Sequence, residues 1–194
     1  MPFNIPIFLT WLRVALIPLV VGVFYLPDAM LSPSAKDLAA TVIFIVAAVT
    51  DWFDGFLARR LNETSAFGAF LDPVADKLMV AGALLILVQL NRVDAVIAFI
   101  IIGREITISA LREWMAQIGA SKSVAVSSLG KIKTAAQMIA IPMLLYYDVA
   151  LGAIDTRLYG TWFMALAAVL TVWSMFYYLR RAWPLIKENA GKLL

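Results

Sequence analysis

The segment AAVTDWFDGFLARRLNETSAFGAFLDPVADKLMV, residues 47–80, decides how the chain is read. Two apolar runs flank a polar break, Asn62 to Ser65, and each run carries a pair of aspartates. Asp51 and Asp54 are three residues apart, Asp72 and Asp76 four, so on helices each pair falls on one face. Asp51 lies eight residues before Arg59, and Asp76 eight after Gly68. At 1.5 Å per residue, both sit about 12 Å from the connecting loop. Asp54 and Asp72 stand nearer to it. Folded as an antiparallel hairpin, the segment gathers four carboxylates at matched depth.

The rest of the chain sets this hairpin in a membrane. Of 194 residues, 63% are hydrophobic and 15% charged, against roughly 45–50% and 25% in soluble domains. Apolar runs at 7–26, 38–58, 69–90, 95–115, 135–151 and 158–179 are separated by turn sequences such as Ser32-Pro33-Ser34 and Asn91 to Asp94. A hydrocarbon core about 30 Å thick takes about 20 residues per helix. The expectation is an all-α integral membrane protein with six transmembrane helices, residues 1–194 forming one membrane-embedded catalytic domain. The first run has no basic leader and no small-residue cleavage site after it, and reads as a retained helix. Arg59, Arg60, Arg112, Lys122, Lys131, Lys133, Arg180, Arg181, Lys187 and Lys192 fall on the N-terminal side, against only Lys36, Arg92 and Arg157 opposite. This positive-inside bias predicts a multi-pass protein of the cell (inner) membrane, with both termini and the active-site mouth cytoplasmic.

Cys and His are both absent. That excludes thiolate nucleophiles, disulfides, zinc-type sites and an imidazole base. The net charge of +3 comes with no basic soluble face, so no nucleic-acid partner is expected. Four ionised carboxylates in one low-dielectric pocket would repel strongly. Two divalent ions, Mg²⁺ or Mn²⁺, would offset that charge, and hard oxygen ligands suit them. Gly55 leaves its helix face bare for a ligand, Ala58 keeps the next turn small, and Arg59 offers a fork for phosphate.

Asp51, Asp54, Gly55, Ala58, Arg59, Gly68, Asp72 and Asp76 stand at the spacing D-x2-D-G-x2-A-R-x8-G-x3-D-x3-D. This pattern resembles the signature of the CDP-alcohol phosphatidyltransferase family at every fixed position. The resemblance implies that family's six-helix membrane fold, with Asp51, Asp54, Asp72 and Asp76 holding two divalent ions. It further implies Asp76 as proton acceptor, and Gly55, Arg59 and Ser65 as contacts to the CDP-linked lipid. Outside the signature, Asn4-Ile5-Pro6, Thr10, Arg13, Arg104-Glu105, Leu111-Arg112-Glu113 and Gly130-Lys131-x-Lys133-Thr134 are similar to the branch that joins CDP-diacylglycerol to glycerol 3-phosphate. On that likeness Thr10 joins the donor contacts, membrane lipids surround the chain, and a homodimer is implied.

An acceptor that carries a phosphate needs fixed positive charge near the carboxylates. Arg104, inside IIIGREITIS, would be costly unpaired and should face the polar cavity; the alternative is a structural pair with Glu105 or one of the aspartates. Arg112, Lys131 and Lys133 sit at the expected cytoplasmic edge, where acceptor phosphate and lipid headgroups compete for them. Lys77 should point off the carboxylate face. Trp52, Phe53 and Phe56 should meet lipid or neighbouring helices, and the tail with Trp183 and Pro184 should anchor at the interface. Rival acceptors are an inositol phosphate, serine or phosphatidylglycerol. A cation- or proton-coupled transporter would also bury carboxylates, but its repeats and broken helices are missing from the sequence.

Overall fold

The computed structural model describes residues 5–61, 66–119 and 128–190. Six α-helices are found there: α1 (Ile5–Gly22), α2 (Pro33–Leu61), α3 (Ala66–Gln89), α4 (Ala95–Gln117), α5 (Ser128–Tyr146) and α6 (Thr156–Ala190). The helix ends follow local chemistry. Pro33 opens α2, where its missing N–H costs nothing. Asn91 adopts a left-handed φ of 57° just after α3, and the Asp94 carboxylate caps α4 by accepting from the Val96 amide at 2.8 Å.

The fifth run departs from its expected bounds. Its helix begins seven residues earlier than the apolar run and ends at Tyr146, not 151. Tyr147 turns left-handed, and β1 (Val149–Ala150) then pairs antiparallel with β2 (Ile154–Asp155) across a turn with Leu151 and Gly152 at positive φ. The Thr156 hydroxyl donates to the Asp148 carbonyl at 2.6 Å, and the Asp148 amide donates back to that oxygen at 3.0 Å. This partly buried Thr–Asp exchange closes the hairpin, whose first residues, Asp148 to Leu151, fall inside the expected apolar run. The last helix also overshoots its run, continuing through the expected anchor to Ala190.

Neighbour contacts close the helices into a ring, in the order α1, α2, α5, α6, α4, α3 and back to α1. Its core is built from Phe44, Leu84, Leu87, Ile141 and Leu144, with Ala40, Ala47 and Ala140 letting backbones approach. The outer face carries Phe70, Phe99, Trp162, Trp173 and Phe176, all exposed. Water would not tolerate an apolar belt of that extent, and lipid would. Among the described residues two stretches, Pro33–Asp51 and Thr156–Lys187, are long and apolar enough by themselves to cross a bilayer. Helix α3 starts with Asp72, Asp76 and Lys77, so its charge-free part is shorter.

The end of the ring remote from the aspartates is tied by Arg92. Its guanidinium donates to the Leu144 and Leu145 carbonyls at 3.1 and 2.7 Å and to Asp37 at 2.7 Å, and it lies 4.3 Å from the Tyr147 ring centre. One side chain therefore joins the ends of α2 and α5 and the α3–α4 turn, satisfying carbonyls that the helix terminus leaves open.

Between α5 and α6 the backbones meet at Gly160. A Cβ there would lie 2.9 Å from Cγ of the buried Leu144 and 3.1 Å from Cβ of Met143, an atom fixed to the backbone. At Gly82 an added Cβ would come no closer than 3.4 Å to a Val21 methyl. Gly160→Ala should therefore destabilise the bundle by about 1–3 kcal/mol through overpacking. Gly82→Ala should change little. Thermal unfolding of both variants in one detergent checks the contrast.

Candidate active site

Helix α1 organises the acidic residues. Thr10 and Arg13 are three residues apart and share a face that meets α3, where Asp72 and Asp76 are four apart. The Thr10 hydroxyl donates to Asp72 Oδ1 at 2.7 Å. Arg13 Nη1 lies 2.9 Å from Asp76 Oδ1 and 2.8 Å from Asp51 Oδ1 on α2. A single nitrogen thus bridges carboxylates from two helices. Arg13 is 0% exposed, whereas the Asp51 and Asp76 side chains remain 37% and 46% exposed. The guanidinium is locked inside, and the carboxylates keep open surface for a ligand.

These carboxylates form one wall of a cavity of about 270 Å³ between α2, α3, α4 and α5. Arg104 and Arg112 stand in its α4 wall, two helical turns apart. Arg104 reaches Glu105 and the Ser174 hydroxyl, all at 3.4 Å, and Arg112 reaches the Tyr178 hydroxyl at 3.5 Å. Both guanidiniums face the buried Tyr178 ring, at 5.7 and 5.5 Å from its centre. These are long contacts for charged donors. Among the described residues the Nε atoms of Arg104 and Arg112 find no acceptor. Buried donors of that kind, beside a polar cavity, suit an anion. A larger cavity of about 720 Å³ lies between α4 and α6, but Trp173, Phe176 and other apolar side chains line it and it carries no carboxylate.

The structure redistributes several expected roles. Thr10 is buried, and its hydroxyl is directed at Asp72. Lys133 does not lie at an open edge: it is 1% exposed, and its ammonium donates to Glu105. Lys131 is exposed, and neither lysine lines the cavity. Lys77 does line it, against expectation, with its ammonium on the Pro73 carbonyl at 3.0 Å. Arg104 pairs with Glu105 and also faces the cavity. Asp54, Gly55 and Arg59 continue α2, but their side chains lie outside the described residues, as does Ser65 entirely. Among the described residues no three acidic side chains gather tightly enough to cage an ion by themselves. Arg13, Ser174 and Tyr178 carry no role in the sequence reading, and Glu105 enters it only as a structural partner of Arg104. An arginine inside an apolar run signalled the first of them, whereas the partners that Ser174 and Tyr178 meet depend on the ring order.

A model of the CDP-alcohol phosphatidyltransferase family matches residues 3–173. The chain belongs to that family. It is 53% identical over 184 residues to proteins named CDP-diacylglycerol–glycerol-3-phosphate 3-phosphatidyltransferase from Shigella flexneri serotype 5b (strain 8401), Shigella boydii serotype 4 (strain Sb227) and Escherichia coli (strain K12), covering 94% of this chain and 96% of theirs. The four aspartates lie on α2 and α3, which among the described residues do not pair as the expected hairpin: α1 packs between them and brings Thr10 and Arg13 to their carboxylates.

Removing the Arg13 charge should loosen this arrangement first. Arg13→Met leaves Asp51 and Asp76 facing each other without a cation and should cost about 3 kcal/mol, the lower end for a broken buried pair because the carboxylates are half open. Arg13→Lys keeps the charge and should retain more of the stability. Midpoints of thermal unfolding for the two variants, in the same detergent, give the comparison.

Proposed function

We propose that the chain transfers the phosphatidyl group of CDP-diacylglycerol to glycerol 3-phosphate, forming phosphatidylglycerophosphate and releasing CMP. The observation that carries the reading is the two-walled cavity, with Asp51 and Asp76 on one side and the incompletely paired Arg104 and Arg112 on the other. A phosphorylated alcohol fits between such walls, its phosphate on the arginines and its hydroxyl toward the carboxylates. The printed name of the relatives, at 53% identity over nearly the whole chain, points to the same donor and acceptor. A transporter reading has no comparable support.

In this reading a hydroxyl oxygen of glycerol 3-phosphate attacks the phosphorus that bears the diacylglycerol. The bond from that phosphorus to the oxygen bridging to CMP breaks, and CMP leaves with that oxygen. Asp76 accepts the hydroxyl proton, which its partly open carboxylate is placed to do beside the cavity. Arg13 holds Asp76 by one oxygen and so orients it. Thr10 does the same for Asp72. Gly55, Arg59 and Ser65 meet the diphosphate of the donor, and Arg104 and Arg112 take the acceptor phosphate. Lys133 acts indirectly by holding Glu105, and Lys131 belongs to the headgroup region.

The donor set fits divalent metal: it is all oxygen, and Asp51 and Asp76 already share one cationic centre. Asp51, Asp54, Asp72 and Asp76 would hold two ions, Mg²⁺ or Mn²⁺, which when bound supply charge neutralisation to the diphosphate and to departing CMP. All six helices cross the bilayer, with both termini and the cavity mouth on the cytoplasmic side of the cell membrane. That placement leaves the acyl chains of the donor in lipid and admits the soluble acceptor from water.

Purified protein given CDP-diacylglycerol and a panel of acceptors should yield phosphatidylglycerophosphate and CMP with glycerol 3-phosphate, and little with serine or inositol phosphate. A strong chelator should abolish turnover, and Mg²⁺ or Mn²⁺ should restore it. Lipid mass analysis identifies the product; full turnover in chelator, or another preferred acceptor, would overturn the reading.

The proton acceptor is tested separately. Asp76→Asn keeps the shape but cannot take the proton, and should lower turnover by about 10²-fold or more at saturating metal. Donor binding should survive better than turnover. Initial rates and donor binding across a metal titration check both quantities.

A further inference from the structure

The cavity wall contributed by α5 contains a polar group that no role yet uses. Gln137 is 2% exposed and lines the cavity together with Asp51, Asp76, Arg104 and Arg112. Among the described residues its Oε1 has no hydrogen-bond partner. A buried amide oxygen left open is uncommon and destabilising. The charged acceptors around the cavity have partners within the bundle. Glu105 receives Lys133 and Arg104, and Asp51 and Asp76 receive Arg13. The neighbouring Thr134 hydroxyl spends its proton on the Gly130 carbonyl at 3.0 Å. Thr134 is exposed, so among the described residues of this wall Gln137 is the neutral side chain that is both buried and left without a partner at its acceptor oxygen.

We propose that Gln137 is a specificity-determining residue that pairs with an acceptor hydroxyl other than the one that attacks. This rests on the acceptor reading given above. An alkyl phosphate with a single hydroxyl satisfies the arginine wall and the carboxylate wall, and leaves Gln137 open. A polyol phosphate fills all three positions. The cavity volume, about 270 Å³, is below the roughly 300–1,000 Å³ typical of sites for drug-sized ligands and matches a small polar molecule. Rotation about the last side-chain bond lets either end of the amide face the cavity, and a hydroxyl, being donor and acceptor at once, can pair with both. The selection works mainly by rejection: a substrate lacking the hydroxyl leaves the amide buried and unpaired in the complex.

The experiment compares glycerol 3-phosphate with 3-hydroxypropyl phosphate, which keeps the terminal hydroxyl and lacks the middle one. Wild-type protein, Gln137→Leu and Gln137→Met are assayed with CDP-diacylglycerol and Mg²⁺, and their unfolding midpoints are measured in the same detergent. The wild type should favour glycerol 3-phosphate about tenfold or more in kcat/KM, the change lying mainly in KM. Both variants should narrow that preference to about threefold or less. Their unfolding midpoints should equal or exceed the wild type, because an apolar side chain replaces an unpaired amide. A preference that survives both substitutions overturns the proposal. So does a fall in the unfolding midpoint with equal losses on both acceptors, which marks a purely structural glutamine. A wild type that uses glycerol 3-phosphate without distinguishing the analogue also overturns it, while leaving the proposed function standing. A wild type that transfers to neither, but to a different acceptor, defeats both.

Discussion

A fully buried guanidinium must have anions beside it, and Arg13 meets that requirement with carboxylates from two other helices. Leaving the charge unpaired inside the bundle would cost several kcal/mol. The three helices α1, α2 and α3 are thereby bound to one registration. Sliding α1 by a single turn would strand Arg13 and break the Thr10–Asp72 contact together with it. The placement of the acidic face, and so of the cavity it borders, follows from that tie. Packing alone would be more permissive, since the core at this level is largely alanine and aliphatic side chains that tolerate small shifts.

Across the cavity the electrostatics are arranged differently. Arg104 and Arg112 are held loosely by Ser174, Tyr178 and Glu105, with long contacts and an aromatic face in place of tight ion pairs. The stronger anion nearby, Glu105, is occupied by Lys133. A buried lysine that diverts the glutamate leaves the arginines attracted to an incoming anion without being neutralised beforehand. Charge is thus conserved on both walls for different visitors: negative on the α2–α3 side, positive on the α4 side.

Much of this could be read from residue types. Aspartates in apolar helices are expensive enough that four in one segment demand an explanation; Asp51 and Asp76 line the acidic wall, and Asp72 is held by Thr10. The helices also fall close to their apolar runs. What could not be read was adjacency. Nothing in hydrophobic periodicity says that α2 packs on α5, or that α6 brings Ser174 and Tyr178 to the arginines of α4. Lys133 was misplaced for a related reason. Its helix starts at Ser128, before the apolar run begins, so a lysine that looks like loop charge is carried into the bundle and meets Glu105. The end of that helix was equally hidden, because the Asp148–Thr156 exchange joins residues on either side of an apolar hairpin.

A water-filled pocket in a membrane protein is also a short circuit in waiting. Gln89, where α3 ends, lies thirteen residues past Asp76, about 20 Å along the axis. Between the acidic wall and that end stand Leu84, Leu87, Leu144 and Leu145, all buried, and Arg92 seals the far rim by stitching α2, α5 and the α3–α4 turn together. The polar space is consequently a blind well. Set in a bilayer, a space closed at that end would offer ions no polar path through the bundle, so the same packing that shapes the site would also keep it from acting as a leak.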